Sequence, residues 1–347
     1  MRTLVIGAGA MGARHAARVR AHPGARLVGI VEPDEARARG LADADVQIFA
    51  SLEEAQVEAD AAIIATPNDA HANPAEACAR RGLTTLVEKP IAATLMEADR
   101  IVAAARRAPM LVGHHRRHHP AAQMARELIA AGAIGRPVAA SLVWALRKPD
   151  TYFETDWRRG AAGGPALINL IHDVDLLRFL LGEVVEVAAL SSDHVRQGPV
   201  EDSVAVALRL RDGPLATALL SDAALSPVAW EAATSENPAI AGGGRDPYQI
   251  FGTEGTLSIP SLRLWRHEGE GRADWSAPLS EIALEVPPAD PFALQLDHLI
   301  AVAAGRAKPM VTAADARASL AATLAVLEAA ATGQTIPLKP SEASHAA

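Results

Sequence analysis

Two side chains in this chain of 347 residues have the type and setting for proton chemistry on a hydroxyl, Lys89 and His172. Lys89 follows the apolar run Leu86-Val87-Glu88, which has the form of a short buried strand, and ligands of open α/β sheets bind at the carboxyl ends of such strands. Pro90 imposes an extended or a cis backbone that aims Lys89 into the crevice beyond the strand. A partly desolvated lysine there can hold or withdraw a hydroxyl proton, whereas a solvated one is only surface charge. His172 sits in Gly163-Gly-Pro-Ala-Leu-Ile-Asn-Leu-Ile-His-Asp-Val-Asp175. Pro165 suits the first turn of a helix, so Leu167, Ile171, Val174 and Leu181 form its core face and Asn169, His172 and Asp175 a polar stripe. Asp175 either orients the imidazole as a general base or satisfies a core histidine.

A cofactor site has to lie beside these groups, and the start of the chain supplies one. In Thr3-Leu-Val-Ile-Gly7-Ala-Gly9-Ala-Met-Gly12, three spaced glycines stand directly behind a short apolar run. Gly7 suits a tight turn, Gly9 a close backbone approach to a pyrophosphate, and Gly12 the packing of a helix on its strand, with Ala10 and Met11 in the same turn. The helix N-terminus then faces the phosphates with its free N–H groups. A second apolar run, Arg26-Leu-Val-Gly-Ile-Val31, ends at Glu32, whose carboxylate can accept both ribose hydroxyls and repel a 2′-phosphate. NAD is therefore expected over NADP, although Arg37 lies close enough to serve a 2′-phosphate.

The elements around these motifs alternate as in a doubly wound parallel sheet. Strands are predicted near 2–6, 26–32, 46–49, 60–65, 83–87 and 110–113, and helices over 11–22, 34–42, 70–81 and 94–107. Thr94 with Glu97 makes a capping box. After His114-His-Arg-Arg-His-His119 the pattern changes to a helix from Pro120 and to longer alternating strands, such as Ser203-Val-Ala-Val-Ala-Leu-Arg-Leu210, which indicate a mixed or antiparallel sheet. The expected organisation is α/β throughout: a Rossmann domain over 1–115, a substrate-binding and oligomerisation domain over 116–338, and a loose tail over 339–347. The Pro- and Gly-rich stretch 226–247 reads as a long loop.

Composition narrows the function classes. With 33 basic and 41 acidic residues the net charge is −8, and no long basic block argues for nucleic acid or an anionic membrane as partner. The single cysteine, Cys78, excludes an internal disulfide and a thiolate zinc cluster, and suits a cytoplasmic protein. No secretory signal is read before the first strand, and no apolar run has the length of a membrane span. Neighbouring histidines at 114–119 point to opposite faces of an extended chain and lack carboxylate partners at ligand spacing, so no metal is expected. His115 and Arg116 are instead expected to border a substrate crevice. Tyr152 and Trp157 can pack on a substrate ring, and Arg158 can hold a carboxylate in two hydrogen bonds.

The glycine loop, Glu32, Ala65-Thr66-Pro67-Asn68 with His71, Glu88-Lys89-Pro90 and Leu170-Ile-His-Asp-Val-Asp175, in this order, resemble the Gfo/Idh/MocA family of oxidoreductases. The resemblance spans nearly the whole chain. It implies catalytic positions for Lys89 and His172, with Asp175 beside them, and places Thr66, Pro67, Asn68, His71 and Glu88 around the dinucleotide. Asn169, on the polar stripe with His172, is expected among the substrate contacts, and an exposed sheet face is expected to be covered by another subunit, giving a homodimer or homotetramer. The activity implied is oxidation of a secondary hydroxyl on a small cyclic polyol, sugar or sugar acid. The stretch from Trp144 to Asp175 is similar to a branch that includes cis-dihydrodiol carboxylate dehydrogenases, which leaves rearomatisation of a ring as an alternative, and a non-catalytic dinucleotide sensor is the second alternative. The chain departs from inositol dehydrogenases at Ile168, where they carry an aspartate four residues before the histidine.

Overall fold

The computed structural model describes residues 1–154, 158, 160, 163–269 and 274–339. Trp157 and residues 340–347 of the expected tail lie outside the described residues. The chain forms two compact units, one of residues 1–115 with 292–320, the other of 116–291 with the described residues from 321 onward.

The first unit begins with β1 (Arg2–Ile6), α1 (Ala10–Ala21), β2 (Arg26–Val31), α2 (Glu35–Arg39), β3 (Gln47–Phe49), β4 (Ala61–Ile64), α3 (Ala72–Arg80), β5 (Thr84–Val87), α4 (Leu95–Ala104) and β6 (Met110–Val112). Its six strands are parallel in the order β3-β2-β1-β4-β5-β6, so the strand order reverses between β1 and β4, where such sheets bind ligands. The central strands β1, β4 and β5 are buried along almost their whole length, as strands covered on both faces must be. Thr94 caps α4 as expected: its Oγ1 accepts the Glu97 N–H at 3.2 Å, and Glu97 Oε2 accepts the Thr94 N–H at 3.1 Å.

The second unit contains α5 (Pro120–Ala130), β7 (Pro137–Ala145), a π-helical turn at Ala166–Leu170 running into α6 (Ile171–Leu181), β8 (Val184–Ser192), β9 (Ser203–Leu210), β10 (Leu215–Ser221), α7 (Trp230–Thr234), β11 (Tyr248–Gly252), β12 (Gly255–Ile259), β13 (Arg263–Arg266) and β14 (Ser280–Ala283). Together with β15 (Ile336–Pro337) they make a nine-stranded sheet, β14-β13-β12-β11-β7-β10-β9-β8-β15, antiparallel except where β7 meets β10. Along β9 every second residue is buried, and Val204, Val206, Leu208 and Leu210 join a core with Val174, Leu177, Trp230 and Tyr248. The stretch 226–247 is not a plain loop, because Trp230 is fully buried and starts α7.

Residues 292–320 lie with the first unit although the sequence expectation kept 116–338 in one domain. The helix α8 (Pro291–Ala303) supplies the reason: Leu296, Leu299 and Val302 pack with Val5, Val19, Leu27 and Ile30. No described helix is long and apolar enough to cross a membrane.

Candidate active site

The glycine loop of the first unit is built as its spacing implies. Gly7 has φ +96°, and a Cβ there would lie 2.7 Å from the Ala65 backbone. A Cβ on Gly12 would drive into the Gly7 carbonyl oxygen, so only glycine lets α1 pack this closely on β1. Gly9 has no heavy atom within 4 Å of where a Cβ would stand, and as N-cap of α1 it offers no side-chain cap to the first-turn N–H groups. Open backbone and uncapped amides at one helix start are what a dinucleotide pyrophosphate needs.

Glu32, just past β2, is buried and touches this loop directly. Its Oε2 accepts the Ala8 N–H at 2.8 Å and its Oε1 the Asp34 N–H at 3.2 Å, which leaves lone pairs on both oxygens for ribose hydroxyls. Arg37 stands 3.6 Å from Glu32 and 3.5 Å from Asp34, drawn to carboxylates while remaining largely exposed. Beyond β4, the Thr66 hydroxyl is buried without a hydrogen-bond partner among the described residues, as a cofactor contact would leave it. Pro67 follows exposed and Asn68 half-buried. These features fit a nicotinamide dinucleotide.

His71 and Glu88 brace the loops that carry Thr66 and Lys89. The His71 ring is buried, with Nε2 2.9 Å from the Thr66 carbonyl oxygen and Nδ1 3.0 Å from that of Pro90. Burial pushes its pKa down, while the facing carbonyls act in the opposite sense. Glu88 Oε1 lies 2.7 Å from His15 Nε2 on α1, and Glu88 Oε2 accepts the Lys89 N–H at 3.1 Å. Burial alone would raise the Glu88 pKa; the hydrogen bond from His15 and the charges of His15, Lys89 and His115 outweigh it and hold the carboxyl at about 2. Lys89 is half-buried. His115 stacks on Phe292, ring centroids 4.0 Å apart. His15 and Phe292 are partners that the sequence reading missed. His15 lies three residues past Gly12, a position from which it reaches the inner face of α1, but Phe292 is too distant in the chain to be found by motif.

In the second unit the helix carrying His172 is buried and densely ion-paired. His172 is itself buried. Asp175 accepts two hydrogen bonds from Arg117, both at 2.7 Å, so the carboxylate expected to serve the imidazole is engaged by a guanidinium. Arg116 is not at an open border: it is fully buried, 2.6 Å from Asp173 and 2.8 Å from Glu231, while the Tyr248 hydroxyl also donates to Asp173. Burial works against the Arg116 charge, but these acids outweigh it and raise its pKa. Asp173 is pushed up to about 6 by burial, against the pull of Arg116.

Asn169, in the π-helical turn, accepts from Lys148 Nζ at 2.9 Å. Arg158 donates to the Tyr152 carbonyl at 3.0 Å, and its guanidinium lies 4.2 Å from the centre of the Tyr152 ring. Trp144 belongs to the core, with Nε1 donating to Glu231 at 2.9 Å. Among the described residues no three His, Cys, Asp or Glu side chains come together as a metal-holding group.

Comparison with known proteins agrees with this architecture. Residues 1–115 match the oxidoreductase family with an NAD-binding Rossmann fold, and residues 122–258 match the GFO/IDH/MocA C-terminal domain. The chain is 31% identical over 296 residues to 1,5-anhydro-D-fructose reductase of Ensifer adhaerens, covering 81% of this chain and 80% of that protein. It is 29% identical over 362 residues to inositol 2-dehydrogenase 2 of Saccharopolyspora erythraea, covering 96% and 94%. Among solved structures, a myo-inositol dehydrogenase from Corynebacterium glutamicum superposes with TM-score 0.75 at 25% identity, over 98% of this chain and 99% of that one. The WlbA dehydrogenase from Bordetella pertussis, solved with NADH and UDP-GlcNAcA, gives 0.77 at 24% identity, over 97% and 98%. The glycine loop, the paired domains and these likenesses converge: the chain belongs to the Gfo/Idh/MocA family of NAD(P)-binding oxidoreductases.

Proposed function

We propose that this protein is an NAD(H)-dependent dehydrogenase that oxidises a secondary hydroxyl of a small cyclic polyol, sugar or sugar acid, or runs the reverse reduction. The observation that carries the reading is Lys89, half-buried directly beyond β5 of a dinucleotide-binding unit with its backbone N–H held by Glu88. The bound nicotinamide supplies the two-electron acceptor for the substrate C–H. His172 takes the proton of the substrate hydroxyl, and Lys89 steadies the oxygen as charge builds on it. Thr66, Pro67, Asn68, Gly9, Ala10 and Met11 are assigned to cofactor contact. His71 and Glu88 are assigned to holding the loops around it, and Asp175 to positioning the helix of His172.

Glu32 supports NAD over NADP, because a buried carboxylate at the ribose position repels a 2′-phosphate. A homodimer or homotetramer in the cytoplasm fits two further features. The outward face of the large sheet exposes Leu190, Leu215 and Leu219, and the single cysteine suits a reducing compartment.

The test is to follow nicotinamide absorbance with NAD and with NADP across cyclitols, sugars, sugar acids and cis-dihydrodiol carboxylates. Turnover on one of the first three classes supports the reading, and turnover confined to dihydrodiol carboxylates replaces it with rearomatisation. Dinucleotide binding with no turnover on any class favours a sensor. Lys89→Ala is expected to keep dinucleotide affinity and lose turnover, and His172→Ala to lose turnover as well. Undiminished turnover in either variant removes that residue from the mechanism.

A further inference from the structure

β7 and β10 are the parallel pair of the large sheet, with Ala145 opposite Ser221 at their carboxyl ends. Just beyond that pair, Lys148 donates its backbone N–H to the Asp222 carbonyl at 2.9 Å and turns its side chain inward, where it is only 9% exposed. Nζ stands 2.9 Å from Asn169 Oδ1 and 3.3 Å from Asp222 Oδ2, and lies 4.8 Å from the centre of the Tyr152 ring and 5.7 Å from that of Trp144. Burial lowers the Lys148 pKa, and Asp222 opposes that.

Charge balance at Asp222 does not by itself require this lysine. Asp222 already accepts from Arg196 Nε at 2.8 Å, so Lys148 is not its sole counter-charge. An ammonium carries three N–H donors, and Asn169 and Asp222 are the oxygen partners of this one among the described residues. Because lysine has nothing to accept with, the Asn169 oxygen is fixed toward Nζ and its amide N–H₂ is presented elsewhere. Asn169 lies in a π-helical turn, a backbone form common at functional sites, one turn before His172.

We propose that Lys148 is a substrate-binding residue which, together with Asn169, donates hydrogen bonds to a substrate oxygen other than the one oxidised. That oxygen belongs to a second hydroxyl or to a carboxylate. The inference rests on the dehydrogenase reading above and deepens it, since it requires the substrate to carry an acceptor at a fixed distance from the reacting carbon.

The experiment compares full-length wild type, Lys148→Met and Asn169→Leu in thermal melting, NADH titration, and steady-state kinetics with a neutral polyol and the matching sugar acid. Lys148→Met leaves Asp222 paired with Arg196, so it is expected to melt below the wild-type temperature but to fold, and to bind NADH unchanged. Its KM should rise about 10- to 100-fold, the loss of a charge-assisted hydrogen bond, with kcat within about threefold. Asn169→Leu should move KM the same way by a smaller factor. A rise confined to the acid identifies a carboxylate; a rise with both substrates identifies a hydroxyl. Unchanged KM in folded Lys148→Met overturns the inference and leaves the dehydrogenase standing. If Lys148→Met does not fold, unchanged KM in Asn169→Leu overturns it. A wild type that binds NADH but neither turns over nor is stabilised by any substrate overturns the dehydrogenase reading and this inference with it.

Discussion

His15 Nε2 and Glu88 Oε1 meet at 2.7 Å, tying the helix that opens at the glycine loop to the residue that precedes Lys89. The two motifs of the first unit are thus joined through one buried contact, and Glu88 passes it on by accepting the Lys89 N–H. A carboxyl held at about 2 against an ordinary 4.5 contributes on the order of 3 kcal/mol to folding at neutral pH. Because the folded pKa is depressed, that contribution is present above about pH 4.5 and fades as pH falls toward 2. Glu88→Gln should therefore unfold at lower urea at pH 7 and lose much less stability between pH 5 and pH 3 than wild type. An identical pH dependence in the two proteins would show that Glu88 is not the titrating group.

Glu32 spends one lone pair on Ala8 and one on Asp34, so its charge bears on both the glycine loop and the ribose position. Glu32→Gln keeps the shape and removes the repulsion of a 2′-phosphate, with Arg37 3.6 Å from the old carboxylate. Titration with both dinucleotides should show the NADP-to-NAD affinity ratio rising about tenfold or more, the scale of one removed charge contact. A ratio that does not move would transfer the discrimination to another residue.

The three glycines should separate when each is replaced by alanine. Gly12→Ala forces α1 away from the Gly7 carbonyl and is expected to lower the melting temperature by several degrees and abolish dinucleotide binding. Gly9→Ala meets nothing within 4 Å, so its melting temperature should stay near wild type while dinucleotide affinity falls because the new methyl occupies the approach to the loop. Gly7→Ala, with φ +96° and a backbone contact at 2.7 Å, should resemble Gly12→Ala. Equal affinity in Gly9→Ala would place the pyrophosphate elsewhere.

Much of this architecture is legible in the sequence because it is local. The strand, glycine turn and helix of residues 2–21, Glu32 at the end of β2 and the Thr94 cap are each set by neighbours within a few residues. The alternation along β9 likewise gives away a sheet with one face buried. What stayed hidden is long-range. Arg116 reads as a crevice residue because it sits in a run of His and Arg, yet Asp173, Glu231 and Tyr248, from 57 to 132 positions away, draw it inside. Nothing in residues 292–320 announces that Leu296 and Leu299 complete the core around β1 and β2, since an apolar helix face does not name the surface it covers. The meeting of Lys148 with Asp222 follows from the parallel register of β7 and β10, which no spacing encodes.

Both readings of the sequence pair Asp175 with His172, and the structure adds Arg117 as a partner that neither contains. Each of its oxygens accepts from Arg117 at 2.7 Å, inside the unit and beside the Phe179 ring, 5.2 Å from the guanidinium. Removing the arginine strands a buried carboxylate, so Arg117→Met should cost about 3–5 kcal/mol in urea unfolding. Asp175→Asn retains acceptor capacity on one oxygen and should cost less, about 1–3 kcal/mol. A carboxylate that directly orients the His172 imidazole would, once neutralised, shift the pH profile of turnover as well as lowering it. One that fixes the helix through Arg117 lowers stability and leaves the inflection of that profile in place. The second outcome is expected for Asp175→Asn, measured as kcat/KM against pH at a temperature where the variant is fully folded. A displaced inflection would return Asp175 to the catalytic group.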